Sequence, residues 1–182
     1  MANNLPDELI IEILSPVLDV SDDQFRSLSL VSPFSRLVHV PSSVLLCVCK
    51  AWSDVATPLL YQTVILRSIA QAYALKRTLQ DNPALGLHIR KLRVEGGYGF
   101  AMQTIIDSAP HVVDLCLSLD MQLSDSARGL CRSLPSINPS CVVILNCLEV
   151  KLNKSLLDLV ETLSKCFRFH WTNMVSLSNF NR

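Results

Sequence analysis

Four short runs recur along the second two-thirds of the chain, and their spacing restricts the fold more than any other feature. Thr63-Val64-Ile65-Leu66, Lys91-Leu92-Arg93-Val94, Asp114-Leu115-Cys116-Leu117 and Val142-Val143-Ile144-Leu145 each set two apolar residues two positions apart, the period of a strand with one buried face. Their second or central residues, Val64, Leu92, Leu115 and Val143, are separated by 28, 23 and 28 residues. Each interval holds a helix candidate. SIAQAYALKRTLQDNP sets Ile69, Ala72, Leu75 and Leu79 on one face before Asn82-Pro83 stops it. FAMQTIIDSAP offers Met102, Ile105 and Ile106, and SDSARGLCRSLPSINP offers Ala127, Leu130, Cys131 and Leu134. After the fourth run, KSLLDLVETLSKCF supplies Leu156, Leu159, Val160, Leu163 and Phe167. A single strand–helix unit cannot bury its own apolar face, so the units must stack, with parallel strands on one side and helices on the other. Residues 62–182 are therefore expected to form an irregular α/β ladder of about 20–29-residue repeats.

Composition agrees with a packed interior. Of 182 residues, 49% are apolar and 18% charged, enough to bury a core and unlike a disordered chain. Sixteen basic residues balance sixteen acidic ones, so no basic surplus points to nucleic acid and contacts by shape and apolar surface are expected. The first residues lack the basic leader of a signal peptide. The apolar run VLLCVC, residues 44–49, is far below the ~20 residues a membrane span needs. Seven cysteines, an odd number with no CxxC pair, read as reduced thiols of the cytosol or nucleus, and Cys47-x-Cys49 has no second ligand pair at zinc spacing.

The first 61 residues follow a different pattern. In LPDELIIEIL, residues 5–14, Pro6 suits the first helical position and Asp7 and Glu8 favour the helix N-terminus. Leu9 and Ile13 share a face, Ile10 and Leu14 widen it, and Ser15-Pro16 is expected to end or kink the helix. Residues 19–43 are rich in Ser and Asp, carry Pro33 and Pro41, and read as a loop or weakly helical insertion in which Phe25, Leu28 and Leu30 dock locally. After Ser42 or Ser43 as N-cap, VLLCVCKAWSDVATPLLY repeats Leu45, Val48, Cys49, Trp52 and Ala56 at helical spacing until Thr57-Pro58. Taken alone, either segment favours a reading as core of an ordinary α/β domain.

Together, Leu5-Pro6-Asp7-Glu8-Leu9, Ile13-Leu14 and Val48-Cys49-Lys50-Ala51-Trp52 resemble the F-box motif, in the split form found in a group of fungal proteins. The following repeats resemble, more loosely, the leucine-rich-repeat class of F-box proteins, without an Asn ladder at the strand ends. The resemblance implies an α/β chain: an N-terminal helical F-box module, residues 1–61, followed by a short, irregular leucine-rich-repeat-like solenoid, residues 62–182. It implies that Leu5, Pro6, Ile13, Leu14, Val48, Cys49 and Trp52 face, or shape the interface with, the adaptor subunit of an SCF-type cullin–RING ubiquitin ligase, which links the chain to the cullin. Some of these side chains must instead hold the module's helices together, and the sequence does not sort them. The repeats would then present an unidentified target protein. The alternative is a non-catalytic leucine-rich-repeat scaffold outside the ubiquitin system, in which the first helix folds back on the repeats.

An enzyme is the remaining class. Gly96-Gly97-Tyr98-Gly99 lies between a strand and a helix, where a phosphate loop would sit, but lacks both the GxGxxG order and a Lys-Ser/Thr pair. A turn requiring positive φ is the simpler reading. Asp107, His111 and Asp114 are near in sequence with no nucleophile or metal spacing beside them, and His39, His88 and His170 stand singly. No catalytic residue, metal ligand or cofactor is expected. Phe167, Phe169, His170 and Trp171 read either as a protein-binding aromatic patch or, as the simpler expectation, as packing for the last helix. The polar run TNMVSLSNFNR after Trp171 reads as unfinished, as in a truncated product, because solenoids normally end in a capping unit.

Overall fold

The computed structural model describes residues 5–27, 42–119, 121, 125–145 and 154–167. The chain divides between Thr63 and Val64 into two compact units, two residues past the boundary expected from the sequence.

The first unit is helical. Helix α1 spans Asp7–Leu18, α2 spans Asp22–Arg26, a 3₁₀ turn covers Ser42–Cys47, and α3 spans Lys50–Gln62. Two proline stops expected from the sequence are overrun. Pro16 lies inside α1 and Pro58 inside α3, although each removes one helical donor. Packing beyond each proline carries the helix on: Leu18 is buried in the unit's core, and Leu59 and Leu60 pack against it. The segment expected as one helix from Val44 to Thr57 is instead two pieces. The 3₁₀ turn ends at Cys47, and Cys49 adopts an extended conformation as the N-cap of α3, its carbonyl accepting from the Ser53 N–H at 2.9 Å. Within the expected insertion, Ser21 caps α2 by accepting from the Gln24 N–H, and Phe25 is buried. Leu28, Leu30, Pro33, His39 and Pro41 lie outside the described residues.

In the second unit all four expected strands form, as β1 (Thr63–Leu66), β2 (Lys91–Val94), β3 (Asp114–Ser118) and β4 (Cys141–Leu145). They make one parallel sheet in the order β1-β2-β3-β4. Its register sets Leu92 beside Leu115, Leu115 beside Val142, and Leu117 beside Ile144. Between and after the strands run α4 (Ile69–Asp81), α5 (Ala101–Asp107), α6 (Arg128–Ser133) and α7 (Lys154–Cys166), with 3₁₀ turns at Pro83–His88 and Leu134–Ser136. Alternation decides what each strand buries. Val64, Leu66, Leu92, Val94, Leu115, Leu117, Val142 and Ile144 share one apolar cluster with Ala72 and Leu79 of α4, Met102, Ile105 and Ile106 of α5, Leu130 of α6, and Leu156, Leu159 and Leu163 of α7. The four helices therefore cover one face of the sheet, a two-layer α/β arrangement. Helix α4 starts where the sequence indicates: Ser68 accepts from the Gln71 N–H, and the Gln71 side chain accepts from the Arg67 N–H at 2.8 Å, a near-reciprocal cap.

The sheet's other face carries Arg93 and Cys116 side by side, both buried. Arg93 Nη2 lies 2.7 Å from Glu95 Oε1, which also lies 3.2 Å from Arg67 Nε. Among the described residues, no helix is long and apolar enough to cross a membrane.

Candidate functional site

Helix α1 carries two apolar stripes at four-residue spacing. Ile10, Leu14 and Leu18 point inward against Ala56, Leu45, Leu46, Trp52 and Val55. Burying three such side chains contributes about 1.5–3 kcal/mol each. The neighbouring stripe, Leu9, Ile13 and Val17, is exposed, and Leu5 just before the helix is exposed with it. The start of the helix is fixed by backbone: Pro6 is the N-cap, and its carbonyl accepts from the N–H groups of Leu9 and Ile10 at 3.1 and 3.2 Å. Pro6 thus stands one position before the first helical residue, not at it, and Asp7 and Glu8 fill the first turn, where negative charge is favoured. Single exposed apolar residues are ordinary on protein surfaces, whereas a continuous stripe marks a surface that a partner covers.

The structure sorts the seven candidate residues. Ile13 is 50% exposed and Val48 56% exposed, and Leu5, Pro6 and Cys49 are also exposed. Leu14, at 1%, is a core residue, and Trp52 packs partly buried against the same cluster. Val48 lies in the break between the 3₁₀ turn and α3, and that interruption places Val44, Cys47, Val48 and Cys49 at the surface. Leu9, Ile11, Val17 and Val44 are exposed as well and lie outside the seven candidates: Val17 falls beyond Pro16, Leu9 and Ile11 lie outside the Leu-Pro and Ile-Leu pairs of the motif, and Val44 precedes the helical face read through Leu45 and Val48.

The glycine-rich turn after β2 is structural in its details. Tyr98 and Gly99 both have positive φ, 46° and 55°, which for a tyrosine is a rare backbone state. The Tyr98 ring turns inward, 5% exposed, and its hydroxyl donates to the Leu66 carbonyl at 3.3 Å. Burial first, then the carboxylates of Glu95 and Asp125, push the phenol well above the usual tyrosine range, so it stays protonated and is no proton-transfer group at neutral pH. Gly97 N–H donates to Asp125 Oδ2 and Gly99 N–H to the Ser126 carbonyl, which ties the turn to the segment before α6. Replacing Tyr98 by Phe is expected to lower the unfolding free energy by about 1 kcal/mol at pH 8. The sign with pH follows from the raised value. The Tyr98 contribution is complete below the phenol's ordinary value of 10.0 and is lost as pH climbs above it, because the unfolded chain ionises first. Urea unfolding of both proteins between pH 8 and 11 should show the wild type losing stability relative to Tyr98→Phe.

Among the described residues no group of three or more His, Cys, Asp or Glu is arranged to hold a metal ion. Asp107 and His111 are exposed, and Asp114 pairs in register with Cys141. His170, Phe169 and Trp171 lie outside the described residues, while Phe167 packs against the core of the second unit. No protein-family model, curated protein or solved structure matches this chain.

Proposed function

We propose that this chain is a substrate-recognition subunit of an SCF-type cullin–RING ubiquitin ligase. Its helical unit binds the ligase adaptor, and its α/β unit, read as an irregular leucine-rich-repeat solenoid, presents a target protein. The observation that supports this reading most is the outer stripe of α1. Leu9, Ile13 and Val17, with Leu5 before them, stand exposed while the adjacent Ile10, Leu14 and Leu18 close the unit's own core. A short helix that buries one apolar stripe and leaves the neighbouring one exposed suits docking on a groove, where a few desolvated anchors supply most of the affinity. Val44, Val48 and Cys49 extend the exposed apolar surface of the same unit. The chain then supplies position, raising the local concentration of a bound target, while the ubiquitin transfer is performed by other subunits.

The test is recovery of the adaptor subunit on the immobilised full chain. Leu5→Ala with Pro6→Ala, and separately Leu9→Ala with Ile13→Ala, are expected to reduce recovery about ten-fold or more, with the circular dichroism spectrum unchanged because these side chains are exposed. Leu14→Ala serves as the contrasting variant: it opens the core and should lower stability by about 2–5 kcal/mol. Full adaptor recovery by both exposed-residue variants would overturn the assignment and favour the scaffold reading.

A further inference from the structure

We propose that Phe100, Arg128 and Arg132 form a docking point for an acidic segment of a partner protein. The inference deepens the reading of the α/β unit as the target-presenting part and names the chemistry of what it presents. It starts from the strained turn. Tyr98 and Gly99 are consecutive left-handed residues, and their effect is to send neighbouring aromatic rings in opposite directions: Tyr98 into the core and Phe100 into solvent, 51% exposed. Strain of this kind persists only where surrounding structure holds it, and it gathers at functional positions. Here Tyr98 is held by its burial and its bond to Leu66, and Gly99 by its bond to Ser126.

Helix α6 supplies the charge. Gly129 seats it against this turn, since a Cβ there would overlap the Gly99 carbonyl oxygen and come within 2.9 Å of Gln103 N. One turn apart on the exposed side of α6 stand Arg128 and Arg132, and the Arg132 guanidinium lies over the Phe100 ring, 5.4 Å from its centroid. Among the described residues neither guanidinium enters an ion pair, whereas Arg67, Arg77 and Arg93 each do. The nearest carboxylate in sequence, Asp125, is partly buried and accepts from the Gly97 N–H. The result is an exposed aromatic ring with one guanidinium over it and a second arginine one turn away on the same helix, neither in an ion pair among the described residues, and both donors whose fork geometry matches carboxylates. Arginine is among the residues enriched at the energetic centres of protein interfaces, and its place over an aromatic ring is a cation–π contact that orients it. Two cations on a chain of balanced charge are too few for the phosphate track of a nucleic acid, so an acidic peptide segment is the fitting occupant.

The probe is a fluorescein-labelled decamer of glutamate, titrated by anisotropy against the full chain, with a glutamine decamer and a single-stranded oligonucleotide of ten nucleotides alongside. The expected result is salt-sensitive binding of the glutamate decamer only. Arg132→Gln and Phe100→Ala should each weaken it about five-fold, Arg128→Gln with Arg132→Gln about twenty-fold, and Arg132→Lys by less than Arg132→Gln. Equal binding of the glutamine decamer, tighter binding of the oligonucleotide, or unchanged affinity in the double arginine variant would each overturn the proposal. Adaptor recovery reports on a different unit of the chain. Variants that lose the decamer and keep the adaptor therefore separate a failure here from a failure of the ligase assignment.

Discussion

Replacing Glu95 by Gln is expected to destabilise the α/β unit by about 3 kcal/mol, the low end of the cost of removing one partner of a buried ion pair. Arg93 is 2% exposed in the middle of the sheet, between β1 and β3, and its Nη2 lies 2.7 Å from the Glu95 carboxylate. Glutamine keeps the shape of the side chain and removes the charge, so two arginines, Arg67 and Arg93, lose their shared anion while one of them remains out of water. The low end applies because the Glu95 side chain keeps a quarter of its surface in solvent, which screens part of the interaction. The informative comparison is Arg93→Met combined with Glu95→Gln. Removing the buried cation as well removes its desolvation cost, so the double variant should be more stable than Glu95→Gln alone. Urea unfolding at pH 7 measures both. A loss below about 1 kcal/mol for Glu95→Gln would place the pair with exposed ones such as Arg77–Asp81, whose contributions rarely exceed that value.

Arg93 also shows what the sequence withheld. The run Lys91-Leu92-Arg93-Val94 is legible as a strand because Leu92 and Val94 alternate, and the helix-covered face follows from that alternation at all four strands. The same rule assigns Arg93 to the opposite face and leads one to expect it in water. It is buried nonetheless, paired with Glu95 and set beside Cys116 of a strand distant in sequence, and no local pattern encodes that. The repeat spacing was legible for a related reason: each unit must bury one strand face and one helix face, so periodicity leaves a mark in every unit. Boundaries set by proline were less legible. Local sterics predict a stop at Pro16 and at Pro58, but one missing hydrogen bond is outweighed when the residues beyond it are buried, as Leu18 is, or packed against the core, as Leu59 and Leu60 are.

The candidate site in the helical unit was legible as composition and illegible as orientation. Leu9, Ile10, Ile13 and Leu14 all read as one wide apolar face, and the sequence offers no means of dividing it. The structure divides it by register: a shift of one residue along α1 moves from the buried stripe to the exposed one. Val48 and Trp52 were joined by helical spacing, yet the helix breaks between them at Cys49, so one is at the surface and the other packs inward. The break is unmarked by glycine or proline, and the exposed Val48 lies in it.

Gly129→Ala is expected to be among the most damaging single-methyl changes in the second unit, with a net loss of about 2 kcal/mol. In an exposed helix the substitution would gain about 1 kcal/mol from helix propensity. Here the added carbon overlaps the Gly99 carbonyl oxygen and approaches Gln103 N. Both are backbone atoms, and no rotamer change moves them aside, so α6 must shift away from the turn; overpacking of this kind costs about 1–3 kcal/mol before repacking losses in Leu130 and its neighbours are added. The same shift lifts Arg132 off the Phe100 ring. Gly129→Ala should therefore weaken glutamate-decamer binding per folded molecule without altering any of the three residues proposed to make it. Gly86→Ala is the matched control, because its Cβ would overlap the Ser108 carbonyl oxygen, a backbone atom away from α6. It should unfold at similarly low urea and keep the decamer affinity of the wild type. If Gly129→Ala retains full affinity at temperatures where it is folded, the seating of α6 against the turn is not what positions Arg132.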